Sequence, residues 1–468
     1  MKNFLRWPVV VAFLFPFLGG CGGGGGSTNT GAPSEIVYVM AENTNNSNVG
    51  SIFQYGLNPS TGQFQAGTTP SLPTGGNTPL NLLFSPGNSL AFALNNSASS
   101  GSTGSLSSFT VSPSNGLAAV SNGISTNGSN PVDMAVDPGG TYLVVANHGT
   151  SSGGNGNVAV FTYTSGGALS PDGSSSTGSP CAKPFRVVFS PNAIGNQNDS
   201  VFVVCSTPES LPNSSPVSIY SCSVGQLLSG GCSSPIYASS GITALLNFQV
   251  DPSGAFAVGP GTTYSSGSYS GFLLICPIVS GGISSCSPTT ITNISIPSGN
   301  VAFLENSSGK TVFIGNYNPA TSSFNNDFAS CSLSNDSCSP YTVGSPSDGN
   351  GPITFALNSA GTGLFIAATV TPIDNSSFNT SSGTGSGPPS TGSLFSCSVS
   401  NLNSCNNASP QTTGGWPVGI TQDNNGRLFV PDLSGQVDIF SGTSSGNLSP
   451  FQTLSLPSGT IPISVAIP

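Results

Sequence analysis

The sequence predicts an all-β fold: a β-propeller of four-stranded antiparallel blades closed into a ring. Three observations carry this reading. Apolar runs of five to seven residues return along the whole chain between Gly/Ser/Asn-rich stretches, as strands separated by turns do. No amphipathic helical period of useful length follows the first 20 residues. The stretch 130–171, NPVDMAVDPGGTYLVVANHGTSSGGNGNVAVFTYTSGGALSP, recurs in looser copies from one end to the other, the signature of a repeat architecture. With only 5% charged residues, 62 Gly and 38 Pro, composition alone would also fit disorder, but a disordered chain has no use for regular apolar runs.

Each element of the repeat has a local cause. PVDMAV is a short apolar first strand, and DPGG turns the chain, with Pro138 presetting φ and Gly139/Gly140 tolerating positive φ. TYLVVAN, rich in β-branched and aromatic residues, is a second strand; NVAVFTY is a third, and a tight SGG turn leads to a fourth. First strands begin near Pro79, Pro131, Pro184, Leu245, Asn300, Pro352 and Pro417, which makes seven units. Two ends remain. IVYVMAE and GSIFQYGLNPSTGQF read as second, third and fourth strands without a first, and the C-terminal IPISVAIP is a first strand with nothing after it. Joining them gives an eighth blade and leaves no open sheet edge. Eight blades is the expectation, and seven the alternative if one weak unit is an insertion.

Residues 1–20 have a positive start, Lys2 and Arg6, and an apolar run, WPVVVAFLFPF, too short to span a bilayer. With Leu18-Gly19-Gly20-Cys21 they resemble a bacterial lipoprotein signal, which implies lipid on Cys21. The alternative is an ordinary secretory signal with an incidental Cys. Residues 21–34 then form a Gly/Ser tether, and 35–468 the single propeller domain. Gly22 after the lipidated Cys implies, by the same resemblance, an outer-membrane address in the bacterial cell envelope. The membrane, reached through the lipid, is thus the first expected partner. Without Lys2 and Arg6 the chain holds four basic against 16 acidic residues, so nucleic acid is excluded as a partner.

Ten further cysteines follow the repeat. Cys222/Cys232, Cys276/Cys286, Cys331/Cys338 and Cys397/Cys405 occupy the same place in four consecutive units, the first in the third strand and the second past the next turn. Facing positions of an antiparallel pair lie within disulfide range. Cys181 and Cys205 flank the first hairpin of the preceding unit. Connectivity is not fixed by sequence, but the shared register favours these five pairs, and disulfides suit an exported protein. No C-x-x-C and a single His argue against a metal centre, and no cofactor is expected.

The repeats resemble the lactonase-like β-propellers, the family of propeller-type 6-phosphogluconolactonase. The resemblance rests on GSIFQYGLNPSTGQF, VDPGGTYLVVAN and NNGRLFVPDLSGQVDIF and covers nearly all of 35–468. It implies a seven-bladed fold and catalysis by His, Arg and acidic side chains around the channel mouth. Where family enzymes carry His at the start of innermost strands, this chain reads PFRVVF, PVGITQ and IPISVA, with Arg186 alone basic. A lactonase reading takes His148 or Glu42 as base and Arg186 as holder of the oxyanion or carboxylate. Asp133, Lys183, Glu209 and Asp432 lie on the same expected face as candidate ligand-binding residues. The structural alternative makes His148 an exposed loop residue and pairs Arg186 with Asp133. Two G-x-S-x-G matches, at 149–153 and 442–446, lie outside any strand-to-helix elbow and carry no nucleophile. The preferred function is a non-catalytic binding or scaffold module whose loops, such as 316–327 and 369–391, contact a glycan or envelope protein; the alternative is hydrolysis of a sugar lactone.

Overall fold

The structure is a computed structural model that describes residues 35–96, 103–150, 155–174, 181–206, 216–232, 234–239, 241–306, 309–316, 327–344, 351–369, 391–407, 410–442 and 447–468. The leader 1–20, Cys21 and its tether, Glu209, and most of the connections 316–327 and 369–391 lie outside them.

Eight antiparallel sheets, each with four principal strands, follow one another. Blade 1 consists of Pro79–Phe84, Leu90–Asn95, Thr103–Ser112 and Gly116–Ser129. Blade 2 consists of Pro131–Val136, Tyr142–Asn147, Asn157–Tyr163 and Leu169–Ser174. Blades 3 to 7 open at Pro184, Ala244, Pro297, Gly351 and Thr421. Blade 8 joins both ends: Thr460–Ala466 pairs antiparallel with Ile36–Asn43, followed by Val49–Leu57 and Phe64–Asn77. The eight-blade count and the closure by the C-terminal strand are therefore those expected from sequence.

Period-two alternation explains how the ring is packed. In blade 8, Ile36, Tyr38 and Met40 enter one hydrophobic cluster with blade 1, while Val37, Val39 and Ala41 enter another with blade 7. In blade 1, Ala91 and Ala93 face blade 8, and Phe92 and Leu94 face blade 2. Each second strand is thus buried on both faces and reads as an unbroken apolar run. Eight clusters form in this way, one at each seam.

The D-P-G-G turns work through their first residue. Asp137 Oδ1 accepts the N–H groups of Thr141 and Tyr142, both at 2.7 Å, which fixes the start of the second strand. Gly140 sits at φ 77°, a conformation that a Cβ would strain.

Three details differ from the sequence expectation. Blade 4's first strand is split into Ala244–Leu245 and Gln249–Val250, and blade 7's shrinks to Thr421–Gln422. Blade 4's second and third strands, Phe256–Ser265 and Ser268–Val279, run well beyond the reach of GAFAVG and GFLLICPI and meet at Ser266-Gly267. A short helix, Val224–Ser229, interrupts the all-β chain because Ser223 and Gln226 form a reciprocal capping box.

All five expected cysteine pairs are bonded, with Cα separations from 4.0 to 6.1 Å: Cys181–Cys205, Cys222–Cys232, Cys276–Cys286, Cys331–Cys338 and Cys397–Cys405. Direct cross-strand facing accounts for Cys331 and Cys338. The argument from facing strands is corrected for the other three second cysteines. Cys286 belongs to no strand: it lies in the break between Gly282–Ile283 and Ser287–Thr290. It meets Cys276 one place beyond the Ile275↔Ser287 pair, where the ladder ends, with a Cα separation of 4.2 Å. Cys232 lies beyond the capped helix, and Cys405 lies in the turn Leu402–Asn407, so each returns to its partner by a helical turn instead of a hairpin. Five disulfides fit an oxidising compartment, outside the cytoplasm.

Candidate functional site

Second-to-third strand connections and the connections entering each first strand share one face of the ring. Four first strands carry a Pro at their start followed by a break in register: Pro79/Asn81, Pro131/Asp133, Pro184/Arg186 and Pro352/Thr354. The residue after the break is polar and buried in each case, as are Asn247 of blade 4 and Ser464 of blade 8. A bulge re-aims its side chain, and here it sets polar groups on the innermost strands of a chain with few charges.

Three of these groups connect across consecutive blades. Arg186 Nη1 lies 3.7 Å from Asp133 Oδ1, and Arg186 Nε donates to Asn247 Oδ1 at 3.1 Å. Asp133 Oδ2 accepts the Val187 N–H at 3.0 Å, and the guanidinium lies 4.6 Å from the Phe185 ring centre. Burial pushes the Asp133 carboxyl up to about 6, although Arg186 and the Val187 and Met134 N–H groups pull it down. Burial likewise lowers Arg186 against the pull of Asp133. On both partners burial works against the charged form and pairing works for it, and the ionised pair carries no net charge toward a ligand.

His148 is only 5% exposed, which corrects its reading as a solvent-facing loop residue. Its N–H donates to Asn130 O at 2.9 Å. Gly156 packs between the His148 backbone and Pro184, where a Cβ would fall 2.8 Å from each, so His148 stands beside the opening of blade 3. Glu42 is elsewhere: it is half-buried in blade 8, opposite Gly50 and Ile461, with blade 1 between it and His148. The structure thus brings together Asp133 and Arg186, with the His148 backbone beside the same seam, and does not gather Glu42 with them. Lys183 Nζ donates to Thr150 O at 2.7 Å and borders a depression of about 190 Å³ lined also by the Cys181–Cys205 disulfide, Ser206 and Pro216.

Asp432 belongs to blade 7 and is fully buried. Its Oδ1 accepts the Ser434 N–H at 2.7 Å and the Ser434 hydroxyl. Its Oδ2 has no hydrogen-bond partner among the described residues. Burial raises its carboxyl to about 6, against the Ser434 and Gly415 hydrogen bonds and with help from Asp438.

Sequence reasoning missed the blade 4 hairpin. Tyr264 faces Tyr269 across it, ring centres 4.8 Å apart, and Tyr264 is 39% exposed. The two turn residues, Ser266 and Gly267, have φ of 52° and 85°, as a two-residue hairpin turn requires. The signal was in TTYSSGSYS, an S-G flanked by alternating residues on both sides.

The fold defines the chain as a closed β-propeller in which Arg186, Lys310 and Arg427 are each paired with acidic side chains. Residues 37–184 match the family model of the lactonase, 7-bladed β-propeller. That span runs from blade 8 to the opening of blade 3, and the ring has one blade more than the family description. A solved structure of a candidate 6-phosphogluconolactonase from Bacteroides uniformis is similar at 15% identity, with 93% of this chain and 99% of that one covered and a TM-score of 0.50. Sqt1 from Chaetomium thermophilum is similar at 13% identity, with 86% and 94% covered and a TM-score of 0.50. At such identities the likeness is one of fold. No curated protein matches the chain in sequence.

Proposed function

We propose that this chain is a cell-envelope binding or scaffold module, held at a membrane through Cys21 and presenting its loop face to a glycan or envelope protein. The observation that supports this reading best is the blade 4 hairpin. It carries paired, accessible tyrosines flanked by Ser265, Ser268, Ser270 and Thr263, and neither of its strands holds a charged residue. Tyr supplies a broad apolar face and a hydroxyl at low entropic cost, which suits a neutral polyhydroxylated ligand. On the other side of the balance, a general base must reach the proton it removes, and both His148 and Arg186 are nearly sealed from solvent. A glycan and envelope-protein binding screen tests the reading, with the Tyr264→Ser/Tyr269→Ser chain as comparison. Binding by the parent that falls at least about tenfold in the variant is expected; a parent that binds nothing discards it.

The match to the lactonase family favours a second reading, hydrolysis of a sugar lactone. It requires turnover by the parent that falls at least about 100-fold in His148→Ala. A parent without turnover removes this reading and leaves the first intact.

A further inference from the structure

Blades 1, 2 and 5 share a clasp that blade 7 alters by one atom type. In blade 1, Asn95 pairs with the strand-opening Pro79 and its Nδ2 donates to Thr74 O at 2.8 Å. In blade 2, Asn147 pairs with Pro131 and donates to Thr126 O at 3.0 Å. In blade 5, Asn316 pairs with Pro297 and donates to Asn293 O at 3.4 Å. Each bond ties the end of a second strand to the connection that enters the same blade. That connection repeats as well: Thr74, Thr126 and Thr413 each donate their hydroxyl to the carbonyl two residues on, Gly76, Gly128 and Gly415.

In blade 7 the residue paired with the strand-opening Pro417 is Asp432. A carboxylate has no N–H to give, so Asp432 meets the Thr413 connection with an acceptor where the sister asparagines present a donor. Its Oδ2 lies on the Gly414 side, where a Cβ would fall 3.2 Å from it, and it is the oxygen left without a partner among the described residues. A buried acceptor with no donor is costly, and a proton on the carboxyl removes the cost by turning Oδ2 into a donor.

We propose that Asp432 is a proton-operated clasp: protonated, it donates to the Thr413 carbonyl as its sister asparagines do, and ionised, it lets go of Thr413 at the head of the 413–416 connection on the loop face. One other titratable group acts on it. On the third strand, Asp438 is the charged neighbour that acts on it; its two oxygens accept the Gly414 N–H and the Thr453 hydroxyl, both at 2.7 Å. From the second strand's turn Asp432 meets Ser434, and the connection 413–417 and the fourth strand Leu448–Ser455 hold no charged residue. Burial places the carboxyl near 6, inside the range where a compartment open to its surroundings varies in pH. This inference is independent of the ligand proposed above.

Trp416, buried within the 413–416 connection, reports on it directly. The full chain holds two tryptophans, so Trp7→Phe leaves Trp416 as the sole emitter. Its fluorescence is followed from pH 4.5 to 8.5 in that background, with and without Asp432→Asn. The parent background is expected to titrate with a midpoint between about pH 5 and 7, and the Asp432→Asn chain to stay at the low-pH value throughout. Asp432→Asn should also raise the thermal midpoint at pH 8 and leave it unchanged at pH 5. A flat parent, a titration that persists in Asp432→Asn, or a variant less stable at pH 8 overturns the proposal.

Discussion

Arg186 Nη1 stands 3.7 Å from Asp133 Oδ1, across the seam between blades 2 and 3, with both side chains sealed from solvent. Removing either partner leaves a buried charge uncompensated, so Arg186→Leu or Asp133→Leu is expected to lose about 3–5 kcal/mol in urea unfolding. The double variant should regain much of that loss. The pair also has a pH signature. Asp133 is raised from 3.8 to about 6, so the folded form holds the proton more tightly than the unfolded one. Its contribution is fully present below the unfolded value and is lost as pH rises through about 6. Stability should therefore fall between pH 4 and 6, and that fall should shrink in Asp133→Asn.

This pair was legible in the sequence only as one of two alternatives, and the reason is physical. PVDMAV and PFRVVF show that Asp133 and Arg186 occupy the same place in adjacent repeats, but not whether they face each other or a ligand. The ring itself was plain, because every second strand is buried on both faces and so leaves a continuous apolar run. The cysteine pairs were legible from register, although the ways Cys232, Cys286 and Cys405 return to their partners were not. The helix at Val224–Ser229 that spaces Cys232 depends on a capping box seen only in three dimensions, and Cys286 closes its pair from a break between strands. Aligning LAFALN, YLVVAN, KTVFIGN and RLFVPD displays Asp432 as the exception among asparagines. What that column means became clear only once its hydrogen bonds to the Thr74 and Thr126 carbonyls were seen.

The five disulfides sit in blades 3 to 6, and blades 1, 2, 7 and 8 have none among the described residues. Each closes a short loop, so the unfolded-state entropy it removes is modest, about 2–3 kcal/mol in the chain-entropy picture. Cys331→Ser/Cys338→Ser is expected to lose that amount and keep the ring. Under reducing conditions hydrogen exchange should rise first in the outer strands Asp327–Ser332 and Ser337–Thr342, before blades 1 and 2. Equal exchange in all blades after reduction would contradict a local stapling role.

Ring closure rests on Thr460–Ala466, whose ladder with blade 8 runs from Tyr38↔Ala466 to Asn43↔Thr460. Thr44 extends it, giving its N–H and hydroxyl to Gly459 O at 2.8 and 2.9 Å. The same strand sends Ile463 into the seam with blade 1 and Val465 into the seam with blade 7, so it joins two clusters as well as one sheet. Deleting 460–468 strips Ile36–Asn43 of its backbone partners on one side and leaves a long apolar edge, which is a template for pairing with another chain. The truncated protein is expected to elute as oligomers or to precipitate, and a peptide covering 457–468 added in trans should restore the monomer by strand addition. A peptide with Val465→Asp should fail, because it places a charge in the seam beside Val39 and Phe429. Size-exclusion chromatography reads all three outcomes, and a truncated chain that stays monomeric and melts like the parent would show that the last strand closes nothing.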